Sequence, residues 1–191
     1  MLDRNGPLTW STGAMTAAGF AAVCAEVTSR NRPLVVECGS GFSTLKLAGL
    51  IQERGGSLVS LEHDQMWAAR VRRDLAAAGC AETARVAFAP LEPHPLARDG
   101  LLWYAERPLR SLPPRIDVLL VDGPPAFTPE IELSRYPALP ALAERLARDA
   151  IVVLDDIDRR GELQVLKAWE RECDFRFEIR PAERIAVGRR S

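Results

Sequence analysis

No apolar run in this sequence approaches the roughly 20 residues needed to cross a bilayer, so a membrane-spanning helix is not expected. The opening stretch, MLDRNGPLTWSTGAM, lacks a charged segment followed by an apolar one, and no secretory signal is read in it. None of the four cysteines, Cys24, Cys38, Cys80 and Cys173, forms a CxxC pair. Each lies in an apolar or helical context, which favours free thiols in a reducing compartment over disulfides or zinc. Arginine far outnumbers lysine, but acids are interleaved with it, the net charge is −1, and no basic block marks a nucleic-acid footprint. Internal repeats and low-complexity segments are missing too. These absences leave a cytoplasmic globular protein. With 47% apolar and 27% charged residues, the 191 positions suffice for one domain over 1–191, residues 1–30 being an N-terminal extension and helix.

What is present is a regular alternation of strand-like and helix-like segments. Residues 13–30 are Ala-rich and suit a helix. Short apolar runs at 33–38, 57–62, 84–89, 116–122 and 150–155 read as buried strands. Between them, 42–55 and 64–79 carry apolar residues at helical spacing, the second opened by Asp64 as a cap. Residues 129–148 form a helix kinked or split by Pro137 and Pro140, and 159–172 form another. Residues 90–114, rich in proline, read as a long loop with one helical turn, its Trp103 and Tyr104 a candidate lid. DFRFEI and RIAVGR close the chain as a hairpin. The pattern predicts an α/β fold: a mixed sheet of about seven strands, helices on both faces, ending on an antiparallel hairpin.

Two short stretches carry chemistry. In VVECGSGFSTL, Gly39 and Gly41 sit at a strand-to-helix turn, where backbone N–H groups can approach a ligand. A tight βα turn alone explains such glycines about as well, and a dinucleotide fingerprint would need glycine where Thr44 stands. Glu37, at the end of that strand, can pair with a cationic ligand group. Glu62 ends the next strand, 21 residues after Gly41, where a carboxylate can accept from both hydroxyls of a ribose. Together they specify a nucleoside ligand with a cationic or amino-acid end. The second stretch is IVVLDDIDRR, in which a buried strand runs into Asp155, Asp156 and Asp158. An unpaired charge at a core edge costs several kcal/mol, so these acids need a cation, a helix to cap, or water.

ECGSGFST, SLEHD, DVLLVDGPP and AIVVLDDIDR, in this order and spacing, resemble class I S-adenosylmethionine-dependent methyltransferases, and within them the catechol O-methyltransferase group and its bacterial relatives. The resemblance implies the Rossmann-like seven-stranded sheet with strand seven antiparallel between five and six. For the cofactor it implies Glu37, Gly39, Ser40, Gly41, Ser43 and Thr44 around the methionine end. Glu62 would hold the ribose, His63, Pro90 and Leu91 would flank the adenine, and Asp122 would border the pocket. It also implies Mg²⁺ on Asp122, Asp155 and Asp156, with Asp122 as the catalytic candidate. Arg135, Tyr136 and Arg159 are candidates for the substrate side, beside Glu162; the bland readings are a solvated Arg135 and an Arg159 paired with an acid. Asp158 is assigned to capping or solvent. Trp10 and Ser11 are candidates to close over the cofactor.

Two departures stand out. The family has Asp-Asn where this chain has Asp155-Asp156, and a lysine base where it has Pro125. The expected activity is therefore O-methylation of a small hydroxylated metabolite or sugar, assisted by a divalent cation, with a metal-independent methyltransferase as the alternative. A nicotinamide-dependent oxidoreductase and a non-catalytic nucleoside-binding module are the readings from other classes. A small-molecule acceptor is the expected partner, and a second copy in a homodimer is one way to complete so small a pocket.

Overall fold

The computed structural model describes residues 14–191, so Trp10 and Ser11 lie outside the described residues. In chain order the elements begin with α1 (Ala17–Thr28), β1 (Leu34–Cys38), α2 (Phe42–Glu53), β2 (Ser57–Glu62), α3 (Gln65–Ala77) and β3 (Ala84–Phe88). A short ribbon follows, β4 (Leu91–Pro93) and β5 (Leu102–Tyr104), then α4 (Glu106–Arg110) and β6 (Ile116–Val121). Two 3₁₀ turns, Pro129–Ile131 and Ala143–Arg145, flank α5 (Ala138–Leu142). The chain ends with β7 (Leu146–Asp155), α6 (Arg160–Glu172), β8 (Phe175–Arg180) and β9 (Ile185–Arg190).

Seven strands form one sheet in the order β3-β2-β1-β6-β7-β9-β8. β1, β2, β3, β6 and β7 pair in parallel, while β9 enters antiparallel between β7 and β8. This is the Rossmann-like methyltransferase topology, and the order reverses at β1, between β2 and β6. Ligands of open α/β sheets bind outside the carboxyl strand ends at such a switch point. There, Glu37 lies level with Leu120, and Cys38 with Val121 and Leu61.

The alternation of side chains along the strands builds two cores. Val36, Leu119, Val121, Val152 and Leu154 face one side, with Leu139, Leu166 and Trp169 from the later helices. Val35, Val118, Leu120, Ile151 and Val153 face the other, with Val23, Leu47 and Val71 from the first three. The central strands are apolar on both faces because helices cover both.

Three expectations are corrected or narrowed. Residues 90–114 are not one long loop: β4 pairs antiparallel with β5, and Trp103 and Tyr104 are fully buried, so neither is an exposed lid. Strands of three residues are too short for a visible period, and Pro93 hid the ribbon, although proline is tolerated on an edge. The stretch 129–148 is split, as its prolines predict, into two 3₁₀ turns and the short α5, but β7 begins at Leu146, inside it. Of the two readings of Asp158, capping and solvent, the structure has the second: Asp158 is exposed, the cap position of α6 falls to Arg159, and Asp158 Oδ1 accepts from Arg184 Nε at 2.8 Å.

Candidate functional site

The loop from β1 to α2 is built by geometry that only some residues allow. Gly39 has φ +92, and a Cβ on it would sit 3.0 Å from the Asp122 carbonyl oxygen, so glycine is required there by both conformation and space. Gly41 differs. Its φ of 179 is ordinary extended backbone, and a Cβ would meet nothing within 4 Å. The fold does not require a glycine at 41, and the space above the loop is open to a ligand. Its amide donates to Thr44 Oγ1 at 2.8 Å, which sets the start of α2.

Glu37 is fully buried, and its oxygens accept from Ser43 Oγ at 2.7 Å and Thr44 Oγ1 at 2.5 Å. Burial raises its pKa, and the hydrogen bonds from Ser43, Thr44 and Ser60 oppose that rise. Glu62, 3% exposed, accepts from the Ser40 amide (3.0 Å), Ser40 Oγ (2.8 Å) and the Asp64 amide (2.9 Å), and lies 3.0 Å from His63 Nδ1. Burial alone would raise its pKa, but these hydrogen bonds outweigh it and hold the carboxyl below its ordinary value. His63 moves up in response, through its bond to Glu62. Trp67 Nε1 donates to the Ser40 carbonyl at 2.7 Å, so α3 also fixes the loop. Pro90 and Leu91 follow β3 beside this strand end; the Pro90 carbonyl accepts from Ala105, and Leu91 pairs with Tyr104.

The second half lies at the ends of β6 and β7. Carboxylate oxygens of Asp122, Asp155 and Asp156 lie within 4.8 Å of one another. Among them sits Arg135, 3% exposed rather than solvated. Its Nη2 reaches Asp122 Oδ1 at 3.3 Å and the Asp122 carbonyl at 3.1 Å. Its Nη1 reaches Asp156 Oδ2 at 3.2 Å, the Asp155 carbonyl at 3.3 Å and Glu162 Oε1 at 3.4 Å. Its Nε donates to the Pro124 carbonyl at 3.2 Å. Arg159 Nη1 joins Asp156 Oδ2 at 2.8 Å, and Arg184 Nη2 holds Asp156 Oδ1 at 3.0 Å. Asp156 itself has φ +61, the left-handed region that short polar residues tolerate best.

Burial pushes the Asp122 carboxyl well above its ordinary range, Arg135 opposing and Asp155 and Asp156 adding to the rise. Burial and the Asp156 charge push Asp155 up to about 6. Glu162 is also raised by burial, with Arg135 opposing. Tyr136 is not brought into this cluster. Its hydroxyl donates to Glu172 Oε2 at 2.5 Å, at the far end of α6, and Arg98 stacks 3.8 Å from its ring centroid. One member of the cluster escaped the sequence reading. Arg184 reaches Asp156 from the final hairpin turn, and no local signal in PAER points there. Ser40, assigned to the loop after β1, lies there, and its hydroxyl and amide both hold Glu62.

Comparison with known proteins fits this geometry. A methyltransferase-domain family profile matches residues 36–157. The chain thus belongs to the methyltransferase-domain family, the class I S-adenosylmethionine-dependent methyltransferases. Among solved structures it is similar to the S-adenosylhomocysteine-bound Podospora anserina methyltransferase PaMTH1, at 14% identity over 94% of this chain and 80% of that one, TM-score 0.72. It is similar also to the Bacillus cereus O-methyltransferase in complex with S-adenosylhomocysteine, at 15% identity over 95% and 84%, TM-score 0.64. Cofactor-bound Rv0187 from MTB shares 20% identity over 93% and 82%, TM-score 0.67. At these identities the likeness is one of fold. No curated protein sequence matches the chain. No helix among the described residues is long and apolar enough to cross a membrane.

The residues fit the two implied groups unequally. For S-adenosylmethionine the open space at Gly41 and the acid Glu62 at the next strand end fit well. For Mg²⁺ the donor type is right, since it takes hard oxygens at about 2.0–2.1 Å. Both Asp156 oxygens, however, and one of Asp122 already accept from guanidinium groups. The acids Asp122, Asp155, Asp156 and Glu162 face Arg135, Arg159 and Arg184, so the cluster is close to charge balance without a metal. As arranged, the cluster does not fit a divalent ion.

Proposed function

We propose that the protein transfers a methyl group from S-adenosylmethionine to a hydroxyl oxygen of a small acceptor, without divalent-metal assistance. The observation that carries the reading is the glycine turn, open above Gly41 and flanked by Glu62, next to a buried acid cluster at the neighbouring strand ends. Bound there, the cofactor supplies an electrophilic methyl on a sulfonium, already attached to a good leaving group. Glu62 accepts from the ribose hydroxyls, taking them in exchange for the Ser40 hydroxyl that it holds in the free protein. Glu37, clamped by Ser43 and Thr44, fixes the start of α2 below the methionine end. His63, Pro90 and Leu91 border the adenine side.

On the acceptor side, Arg135 holds Asp122 through Oδ1. That leaves Oδ2 to accept a hydrogen bond from the acceptor hydroxyl, orient it, and receive its proton. Positioning and exclusion of water supply the rest, since a well-oriented attack recovers much of the entropic barrier. Arg159, a third exposed at the rim, is the acceptor-side cation. The likeness to the Bacillus cereus O-methyltransferase supports an oxygen nucleophile.

Calorimetry on the purified chain tests the cofactor half: S-adenosylhomocysteine binding is expected, with none for NAD. Incubation with S-adenosylmethionine and a pool of phenols and sugars is expected to yield acceptors heavier by one methyl group. Binding of NAD in place of S-adenosylhomocysteine would sink the reading. Turnover abolished by EDTA and restored by Mg²⁺ would remove its metal-independent part.

A further inference from the structure

The geometry points to Arg135 as a built-in cation, a guanidinium standing where this acid cluster would otherwise take a divalent metal ion. We propose that Arg135 keeps such ions out, and that removing its charge turns the cluster into a divalent-cation site. The idea deepens the metal-independent reading above but is tested apart from methyl transfer.

Arg135 meets three carboxylates from three separate elements: Asp122 after β6, Asp156 after β7 and Glu162 in α6. A surface arginine makes one or two such pairs, whereas this one is 3% exposed and has no route to water for its charge. Glu162 supplies an independent sign that the cluster depends on Arg135 for its charge balance. It is fully buried, and neither of its oxygens makes a hydrogen bond; Arg135 and Arg159 stand 3.4 and 3.6 Å away. Buried carboxylates so placed need positive charge close by, from a guanidinium or a metal. Delocalised and weakly hydrated, a guanidinium suits a buried role better than an ammonium. Its planar fork explains how one side chain also caps the Asp122, Pro124 and Asp155 carbonyls, which a metal shell would leave out.

Vacating Arg135 would free Asp122 Oδ1 and leave Asp156 Oδ2 with Arg159 as its one guanidinium partner among the described residues, beside Asp155; the three carboxylates already lie within 4.8 Å of one another. Those are hard donors of the number and kind that Mg²⁺ or Mn²⁺ takes, with water completing the shell. Among the described residues no guanidinium nitrogen contacts the Asp155 side chain, so its loss should abolish a created site while leaving Arg135 its partners.

The test is a Mn²⁺ titration followed by electron paramagnetic resonance, on wild type, Arg135→Met and Arg135→Met/Asp155→Asn. S-adenosylhomocysteine affinity is measured on the same samples. Wild type is expected to leave Mn²⁺ free at millimolar concentration. Arg135→Met is expected to bind one Mn²⁺ per chain at least tenfold more tightly, competed by Mg²⁺, and the double variant to lose it. A wild-type chain that binds one Mn²⁺, lost in Asp155→Asn, overturns the proposal. So does a folded Arg135→Met chain that gains no Mn²⁺. Where Arg135→Met does not fold, the wild-type titration decides alone, free Mn²⁺ supporting the proposal and one bound ion overturning it. Failure of the methyltransferase reading would show separately, as absent S-adenosylhomocysteine binding in the wild type.

Discussion

The two halves of the site solve the same problem, a buried carboxylate at a strand end, in opposite ways. Around Glu37 and Glu62 the partners are mostly neutral: hydroxyls of Ser40, Ser43 and Thr44, and backbone amides of Ser40 and Asp64. Around Asp122 and Asp156 the partners are guanidiniums. A neutral donor can be exchanged for a ligand hydroxyl at little net cost, because one hydrogen bond replaces another. A guanidinium cannot be displaced so easily, since its departure strands a charge on each side. The half proposed to take the cofactor is therefore built for exchange and the acid half for permanence.

The largest effect expected is at Arg135. Breaking a buried ionic network from one side costs about 3–5 kcal/mol. Arg135→Met should lose that much in urea unfolding, and regain part of it on adding Mn²⁺, since a ligand bound only by the folded state stabilises it. A loss below about 1 kcal/mol, the range of exposed pairs, would erase the contrast between the halves. Next is Glu62→Ala. Hydrogen bonds to a charged group contribute about 1.5–3 kcal/mol. Affinity for S-adenosylhomocysteine by calorimetry should therefore fall roughly tenfold to a hundredfold, at 1.4 kcal/mol per tenfold. Unchanged affinity would remove Glu62 from the ribose.

The two glycines sharpen the comparison within one loop. Gly39→Ala forces a side chain into positive φ against the Asp122 carbonyl, at about 1–2 kcal/mol for the conformation alone. Gly41→Ala should leave stability within about 0.5 kcal/mol of wild type, as at any open position, yet weaken cofactor binding several-fold. Denaturation and calorimetry on the pair separate the two roles; equal destabilisation would refute it. The smallest effect is at His63. Its pKa is raised by Glu62, so its contribution to stability is full below the ordinary histidine value of about 6.5 and fades as pH rises through the raised one. A proton NMR titration should place His63 above that ordinary value, and Glu62→Gln should bring it down. A wild-type value at or below it would contradict the Glu62–His63 pairing.

The same contrast governs what the sequence could tell. The cofactor half is legible because its partners are near in the chain: Glu37 with Ser43 and Thr44, Glu62 with His63 and Asp64. The parallel strands were legible too, since apolar runs bounded by capping residues and glycines need no long-range information. The acid half was half-read. That Asp122 and Asp155 converge follows from adjacent parallel strands, but which cation meets them depends on Arg135 and Arg184, brought in from separate turns by folding. Arg135 lies in a proline-broken stretch whose pattern favoured a solvated helix. The β4–β5 ribbon was missed for a different reason, strands too brief to display alternation.

The hairpin turn carrying Arg184 completes the acid cluster. β9 threads between β7 and β8, so Arg184 reaches Asp156 only when the final hairpin is docked on β7. Until then Asp156 lacks the partner of its Oδ1, and the ends of β6 and β7 carry an excess of negative charge. The charge balance of the cluster thus depends on the last hairpin, and a chain with that hairpin undocked would keep a cation-hungry edge that the folded protein does not show.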